Sequence, residues 1–234
     1  MALNGKMEKL TMSDGAEIGV YRVQPTGARR GGLVLIQEIF GVTEHIMELC
    51  DGYAADGYEV LAPALYDREH PNFQASYSPE DIQIGIKLAR AEHPFDLSVA
   101  DAQTCIDELK TRGPVFITGY CYGGSVAWAA AGRCTGLAAA SGYYGGTIGQ
   151  MIHLEPKCPT ILHFGEKDHG IPLEVVRKIE AAHPKVKVYV YPAGTGSTPT
   201  AAPTTTRPAP SSPRSARWSC SGPMAADGTA IVAV

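Results

Sequence analysis

Val115-Phe116-Ile117-Thr118-Gly119-Tyr120-Cys121-Tyr122-Gly123-Gly124 is the segment from which the rest of the chain is read. Val115 to Thr118 is a short run of β-branched and aromatic residues, the composition of a buried strand. Residues 125–131, alanine-rich around Trp128, continue as a helix. The chain therefore passes from strand to helix through a glycine-rich turn with a cysteine at its tip. A side chain in that place stands at a helix N-terminus, where the peptide dipoles favour negative charge and hence the thiolate. The glycines on either side lack Cβ and let strand and helix approach closely. The plainer reading of the same residues is a tight turn around a buried structural thiol.

Working outward, the same alternation repeats. Leu33-Val34-Leu35-Ile36 reads as a buried strand, residues 43–56 as a helix, and Val60-Leu61-Ala62 as a second short strand. Residues 79–92 and 97–110 read as helices, the first opened by Ser78 as N-cap and Pro79 at the first helical position. Downstream, residues 137–140, 160–164 and 186–191 read as strands and residues 173–182 as a helix. Such a succession implies an α/β fold, a mostly parallel sheet with helices on both faces. Its functional loops are expected beyond the carboxyl ends of the strands.

The chain has 234 residues, which suits one α/β domain with a substantial core. With 44% hydrophobic and 19% charged residues and a net charge of -4, it offers no electrostatic reason to seek nucleic acid or an anionic membrane. No apolar run approaches the roughly 20 residues that span a bilayer, so a cytoplasmic monomer acting on a small molecule is expected. The six cysteines (Cys50, Cys105, Cys121, Cys134, Cys158, Cys220) show no CxxC pair and no histidine at zinc spacing. Neither a disulfide framework nor a metal site is expected.

Gln37-Glu38-Ile39-Phe40-Gly41-Val42 follows the first strong strand, where an α/β-hydrolase builds half of its oxyanion hole. This block, the GYCYGG turn, the run Gly142-Tyr143-Tyr144-Gly145 and the segment from His163 to Pro172 stand in a familiar order. Over residues 33–194 the chain resembles the dienelactone hydrolases, or carboxymethylenebutenolidases, which are α/β-hydrolases with cysteine in the place of the usual elbow serine. The resemblance implies the α/β-hydrolase fold, a lactone or ester substrate and no cofactor. It implies that Cys121 attacks the carbonyl, that the backbone N–H groups of Ile39 and Tyr122 hold the oxyanion, and that Asp168 orients a catalytic histidine. It also implies that Glu38 contacts the thiol, keeps it protonated at rest and takes its proton when substrate binds. Taken one at a time, Glu38 also reads as a helix cap and Asp168 as a turn residue ahead of Pro172.

The family closes its last strand with a pattern such as YPGAGHGF, whose histidine is the general base. Here the chain reads Tyr191-Pro192-Ala193-Gly194-Thr195-Gly196-Ser197, with Thr195 in the histidine's place. From residue 195 to 234 thirteen Ser/Thr and six Pro accumulate without one Leu, Phe, Tyr, Glu or Lys, so the helical and strand periods end there. Two explanations stand: a disordered Pro/Ser/Thr tail, or a coding sequence shifted by one base after Gly194. The shifted frame admits a reading that begins GHGFNPD and, over residues 214–223, an amphipathic string such as ERALELQR. On either explanation residues 1–194 form the hydrolase-like domain, 195–234 stand apart from it, and the closing helix of the fold is expected to be missing.

His169 adjoins Asp168 but reads as a loop histidine, since neighbours in sequence rarely aim at one another. Arg68 reads as a solvated surface residue or, alternatively, as a cation for a substrate carboxylate. A class I amidotransferase-like cysteine enzyme shares the GxCxG turn but wants a His-x-Glu pair near its end, which this chain lacks. A non-catalytic binding protein that keeps the pocket is the other alternative.

Overall fold

In the computed structural model, which describes residues 3–192, eight strands form one sheet in the order β1-β2-β4-β3-β5-β6-β7-β8. The strands are β1 (Lys6–Thr11), β2 (Glu17–Val23), β3 (Gly31–Ile36), β4 (Tyr58–Pro63), β5 (Val115–Tyr120), β6 (Leu137–Tyr143), β7 (Thr160–Gly165) and β8 (Lys187–Tyr191). From β4 through β3 to β8 the pairings are parallel, while β1 and β2 add an antiparallel edge. This is the α/β-hydrolase arrangement that the sequence implied.

Five α-helices cover the sheet: α1 (Glu44–Ala55), α2 (Pro79–Lys87), α3 (Phe95–Lys110), α4 (Tyr122–Arg133) and α5 (Leu173–Ala182). The apolar residues of α1 pack with Leu33, Leu35, Val60 and Tyr120 on one face of the sheet. Those of α3, α4 and α5 close over Val34, Ile36, Ile117 and Leu162 on the other. Both faces of β3 are thus buried, which is why its sequence is a continuous apolar run rather than an alternating one.

Three local features depart from the sequence reading. β1 and β2 were not anticipated, because β1 is almost wholly exposed and charged, with Lys6, Glu8 and Lys9 along it. Such charges suit an edge strand, where they discourage pairing with other chains. The predicted helix over 79–92 is interrupted, with α2 ending at Lys87 and a π-helical turn following at Leu88–Glu92. Its start is as expected, the Ser78 hydroxyl accepting from the Asp81 N–H at 3.2 Å. Lastly, α4 begins three residues earlier than predicted, immediately after Cys121.

The loop over residues 64–78 is tied down by Asp67, whose carboxylate accepts from the N–H groups of Gly19 (2.7 Å) and Asn72 (2.8 Å). It lies against the turn after β3. Leu65 N–H donates to Gln37 Oε1 at 3.2 Å, Ala75 N–H donates to Phe40 O at 3.0 Å, and the Phe40 and Tyr77 rings meet edge-on at 4.7 Å. The expectations for Thr195, for the tail and for the closing helix lie outside the described residues.

Candidate active site

The carboxyl ends of β3, β5, β6 and β7 bring together four segments that are distant in sequence. At the end of β5, Cys121 adopts φ 54°, ψ -115°, a left-handed backbone that a residue with a side chain enters only under constraint. The constraint is packing between the strand and the helix. A Cβ on Gly119 would collide with the backbone of Gly123, and one on Gly123 would collide with the carbonyls of Ile36 and Gln37. Only glycine at both places lets α4 start this close to β3 and β5. Hydrogen bonds from Cys121 N–H to Tyr143 O (3.0 Å) and from Gly124 N–H to Cys121 O (3.0 Å) hold the tip.

The thiol of Cys121 is half-buried, and its pKa is pushed up to about 11. Burial is the main cause, followed by the negative charge of Glu38 and, more weakly, that of Asp168; the Tyr122 N–H and Arg90 pull the other way. Burial and the two carboxylates outweigh the Tyr122 N–H and Arg90, so the thiol is held above its ordinary pKa.

Glu38 is itself pushed above the ordinary carboxylate range by burial, against the hydrogen bond from the Tyr144 hydroxyl to its Oε1 at 3.2 Å and the charge of His45. Tyr144 sits at φ 39° just past β6. Its place in the GYYG run marked the segment, but nothing in the sequence marked it as Glu38's partner. Ile39 follows Glu38 in a turn closed by a bridge between Glu38 and Gly41. Tyr122 begins α4, so its N–H belongs to the first turn, where backbone donors have no acceptor within the helix.

Asp168, beyond β7, is 4% exposed. Its Oδ1 accepts from the N–H groups of Gly170 (2.8 Å) and Ile171 (3.2 Å). Its Oδ2 is buried and has no hydrogen-bond partner among the described residues. Leaving a buried carboxylate oxygen unpaired costs on the order of 1–3 kcal/mol, so the place is shaped for a donor. The neighbouring backbone shows where one could enter. Gly165 is in register with Tyr191, and Glu166 N–H donates to Tyr191 O at 2.7 Å, so the chain leaves β8 beside the loop that carries Asp168.

None of the seven histidines donates to Asp168 among the described residues. His169 is exposed while Asp168 is buried, so the two side chains diverge, as expected of a loop histidine. His163 lies on β7 in an in-register aromatic ladder, stacked on Tyr143 at 4.2 Å and Tyr189 at 5.3 Å, with its Nδ1 at 2.9 Å from the Tyr191 hydroxyl. Burial lowers its pKa to about 3, so it is neutral. His183 is held by Ile152 O at 2.7 Å and meets Trp128 edge-on at 5.0 Å. Arg68 is neither solvated nor open to a ligand: its guanidinium grips Asp101 at 2.7 and 2.8 Å and Asp14 at 2.9 and 3.1 Å. Arg90, exposed on the π-helical turn, is the cation whose charge reaches Cys121.

Among the described residues there is no cluster of side chains fit to hold a metal ion, and no helix is long and apolar enough to cross a membrane. Cys105, Cys121, Cys134 and Cys158 are free thiols, and Cys50, Cys105 and Cys134 are buried.

Comparison with known proteins places this geometry in context. Residues 18–201 match the family model described as the dienelactone hydrolase family. A protein of Synechocystis sp. with a provisional carboxymethylenebutenolidase name is 34% identical over 197 residues, which are 75% of this chain and 79% of that protein. Carboxymethylenebutenolidase 1 of Cupriavidus pinatubonensis is 30% identical over 198 residues, which are 80% of this chain and 83% of that protein. A crystal structure from Klebsiella pneumoniae, provisionally named a dienelactone hydrolase, superposes with a TM-score of 0.69 at 27% identity, covering 83% of this chain and 88% of that one.

Proposed function

The chain belongs to the dienelactone hydrolase family, and on that premise we propose that it is a cysteine hydrolase of lactone or ester bonds whose nucleophile is Cys121. The Cys121 sulfur attacks the carbonyl carbon after its proton passes to Glu38, the carboxylate nearest it in charge. The oxyanion is received by the N–H groups of Ile39 and Tyr122. The C–O bond of the ring then breaks, the leaving alkoxide takes up a proton, and water hydrolyses the thioester to release the acid. Arg90, at the rim, would favour a substrate that carries a carboxylate.

The observation that carries this reading is the Oδ2 of Asp168, buried and unpaired among the described residues, on a carboxylate whose charge acts on Cys121 and beside the exit of β8. It fits a carboxylate that awaits an imidazole arriving after Tyr191. The hydroxyl of Thr195 cannot accept a proton at neutral pH. We therefore expect the chain as encoded to be slow, by the several orders of magnitude that loss of a triad member typically costs.

The test compares four proteins in hydrolysis of a dienelactone and of p-nitrophenyl acetate: the chain as encoded, Thr195→His, the chain with its frame restored after Gly194, and the restored chain carrying Cys121→Ala. Restoration is expected to raise turnover by orders of magnitude, Thr195→His to recover only part of this, and Cys121→Ala to remove it. A chain as encoded that matches the restored one would overturn the missing-base account. Turnover that survives Cys121→Ala would overturn the nucleophile. A protein that binds the lactone with its frame restored but never turns it over would support the binding-protein alternative.

A further inference from the structure

Next to the elbow lies a second chain of polar groups that the proposed chemistry does not use. His93 Nδ1 is 3.0 Å from Glu69 Oε2, His93 Nε2 is 3.0 Å from Ser98 Oγ, and Ser98 Oγ is 2.8 Å from the Tyr122 hydroxyl. The four residues come from four places: the 64–78 loop, the end of the π-helical turn, the first turn of α3 and the first residue of α4. Carboxylate, imidazole and hydroxyl in series have the composition of a nucleophilic triad. Ser98 is 0% exposed, however, and its hydroxyl is engaged by Tyr122, so no substrate reaches it.

A self-consistent polarity of the bonds runs from the Tyr122 hydroxyl, which donates to Ser98, through Ser98, which donates to His93 Nε2, to His93 Nδ1–H, which donates to Glu69. Every donor in the series is then satisfied, and the series ends on the partly exposed Glu69. Rings clamp it from the sides, Tyr66 lying 5.3 Å from His93 and 6.0 Å from Tyr122, and Phe95 meeting Tyr122 edge-on at 5.8 Å. A phenylalanine at 122 would fill the same volume with no polar partners to bury. What three buried or half-buried polar residues add is a fixed direction for the ring's far end.

Tyr122 is also the residue whose N–H faces the Cys121 sulfur. Ring and amide hang on one Cα, and the preceding residue holds a left-handed backbone. Holding the hydroxyl therefore limits rotation of the peptide between Cys121 and Tyr122. We propose that Glu69, His93 and Ser98 are positioning residues that hold Tyr122 by its hydroxyl and so aim the 121–122 amide at the reacting sulfur and oxyanion, coupling the 64–78 loop to the nucleophile. The oxyanion part of this rests on the reading of Cys121 as nucleophile; the sulfur part does not.

The experiment uses the full chain and the variants Ser98→Ala, Tyr122→Phe and the two combined. Two rates are read at Cys121: alkylation by iodoacetamide, which makes no oxyanion, and acylation by p-nitrophenyl acetate, which does. Alkylation of buried Cys105 is followed in the same samples. An amide that loses its aim stabilises the thiolate less and the oxyanion much less, since a full oxyanion donor is worth on the order of 100-fold or more in rate. Each single variant is expected to slow acylation about tenfold and alkylation of Cys121 about threefold, to leave Cys105 unchanged, and to be matched by the double variant. A merely structural role predicts the opposite sign, because a loosened core speeds alkylation of Cys121 and Cys105 together. That result, or single variants with Cys121 rates within error of the parent, or losses that add in the double variant, would overturn the proposal. If the parent is too slow to acylate, acylation is read on the frame-restored chain, where its absence sinks the hydrolase reading while the alkylation arm still decides this one. Tyr122→Phe, which keeps the packing volume, decides if Ser98→Ala does not fold.

Discussion

Replacing Glu38 by glutamine probes the electrostatics of the elbow while keeping side-chain volume and an oxygen for the Tyr144 hydroxyl. The Cys121 thiol is raised from an ordinary 9.0 to about 11. Each unit is a factor of ten in thiolate below the pKa, so at about pH 8 alkylation of Cys121 in the native chain should run about a hundredfold slower than that of an ordinary thiol. Burial contributes most to the rise, Glu38 next and Asp168 less. Glu38 is the stronger of the two charges that raise it, so Glu38→Gln is expected to speed iodoacetamide alkylation of Cys121 about three- to tenfold. Asp168→Asn should speed it by a smaller factor. The assay is peptide mapping of quenched time points at about pH 8, with the urea-unfolded chain as the reference thiol. The reasoning is refuted if Glu38→Gln leaves the rate unchanged or slows it, or if Asp168→Asn has the larger effect.

Three further outcomes follow from other parts of the structure. Glu59 is fully buried in side chain and, although burial opposes its ionisation, hydrogen bonds from Arg22, Arg112, Gln24 and Arg29 hold its pKa below the usual range; Glu59→Ala should cost about 3–5 kcal/mol in urea unfolding by stranding the largely buried Arg22 and Arg29. His163 has a folded-state pKa of about 3 against an ordinary 6.5, so the unfolded chain binds the proton first and stability falls as pH drops from 6.5 toward 3. Urea midpoints measured across that window should show His163→Phe recovering roughly 2 kcal/mol at about pH 4.5 relative to its value near neutrality, and parallel profiles for the two proteins would contradict this. Arg68→Ala should lower the thermal midpoint without changing substrate affinity, because Arg68 is held by Asp14 and Asp101, whereas Arg90→Ala should weaken binding of carboxylate-bearing substrates with little change in stability; steady-state kinetics and calorimetry on both variants check the contrast.

The sequence alone determined what depends on neighbours along the chain. The alternation of apolar strands and amphipathic helices from residue 33 onward is a local signal, and so in part is the glycine pattern around Cys121: Gly119 answers a collision with nearby Gly123, whereas Gly123 answers the distant carbonyls of Ile36 and Gln37. The position of Asp168 after a strand was legible for the same reason. Edge strand β1 was not legible, since an exposed, charged strand has no apolar period and is recognisable only by its partner β2. Tertiary structure decided everything that depends on who faces whom. Tyr144 reaches Glu38 across 106 residues because β6 and β3 end on the same side of the sheet. Arg68 meets Asp14 and Asp101, and Glu69, His93 and Ser98 meet Tyr122, only because loop, π-helical turn and two helices converge there. The protonation state of Cys121 belongs to this second group. A helix N-terminus is visible in sequence and argues for thiolate, whereas desolvation and the charges of Glu38 and Asp168 act through space and push the thiol's pKa up.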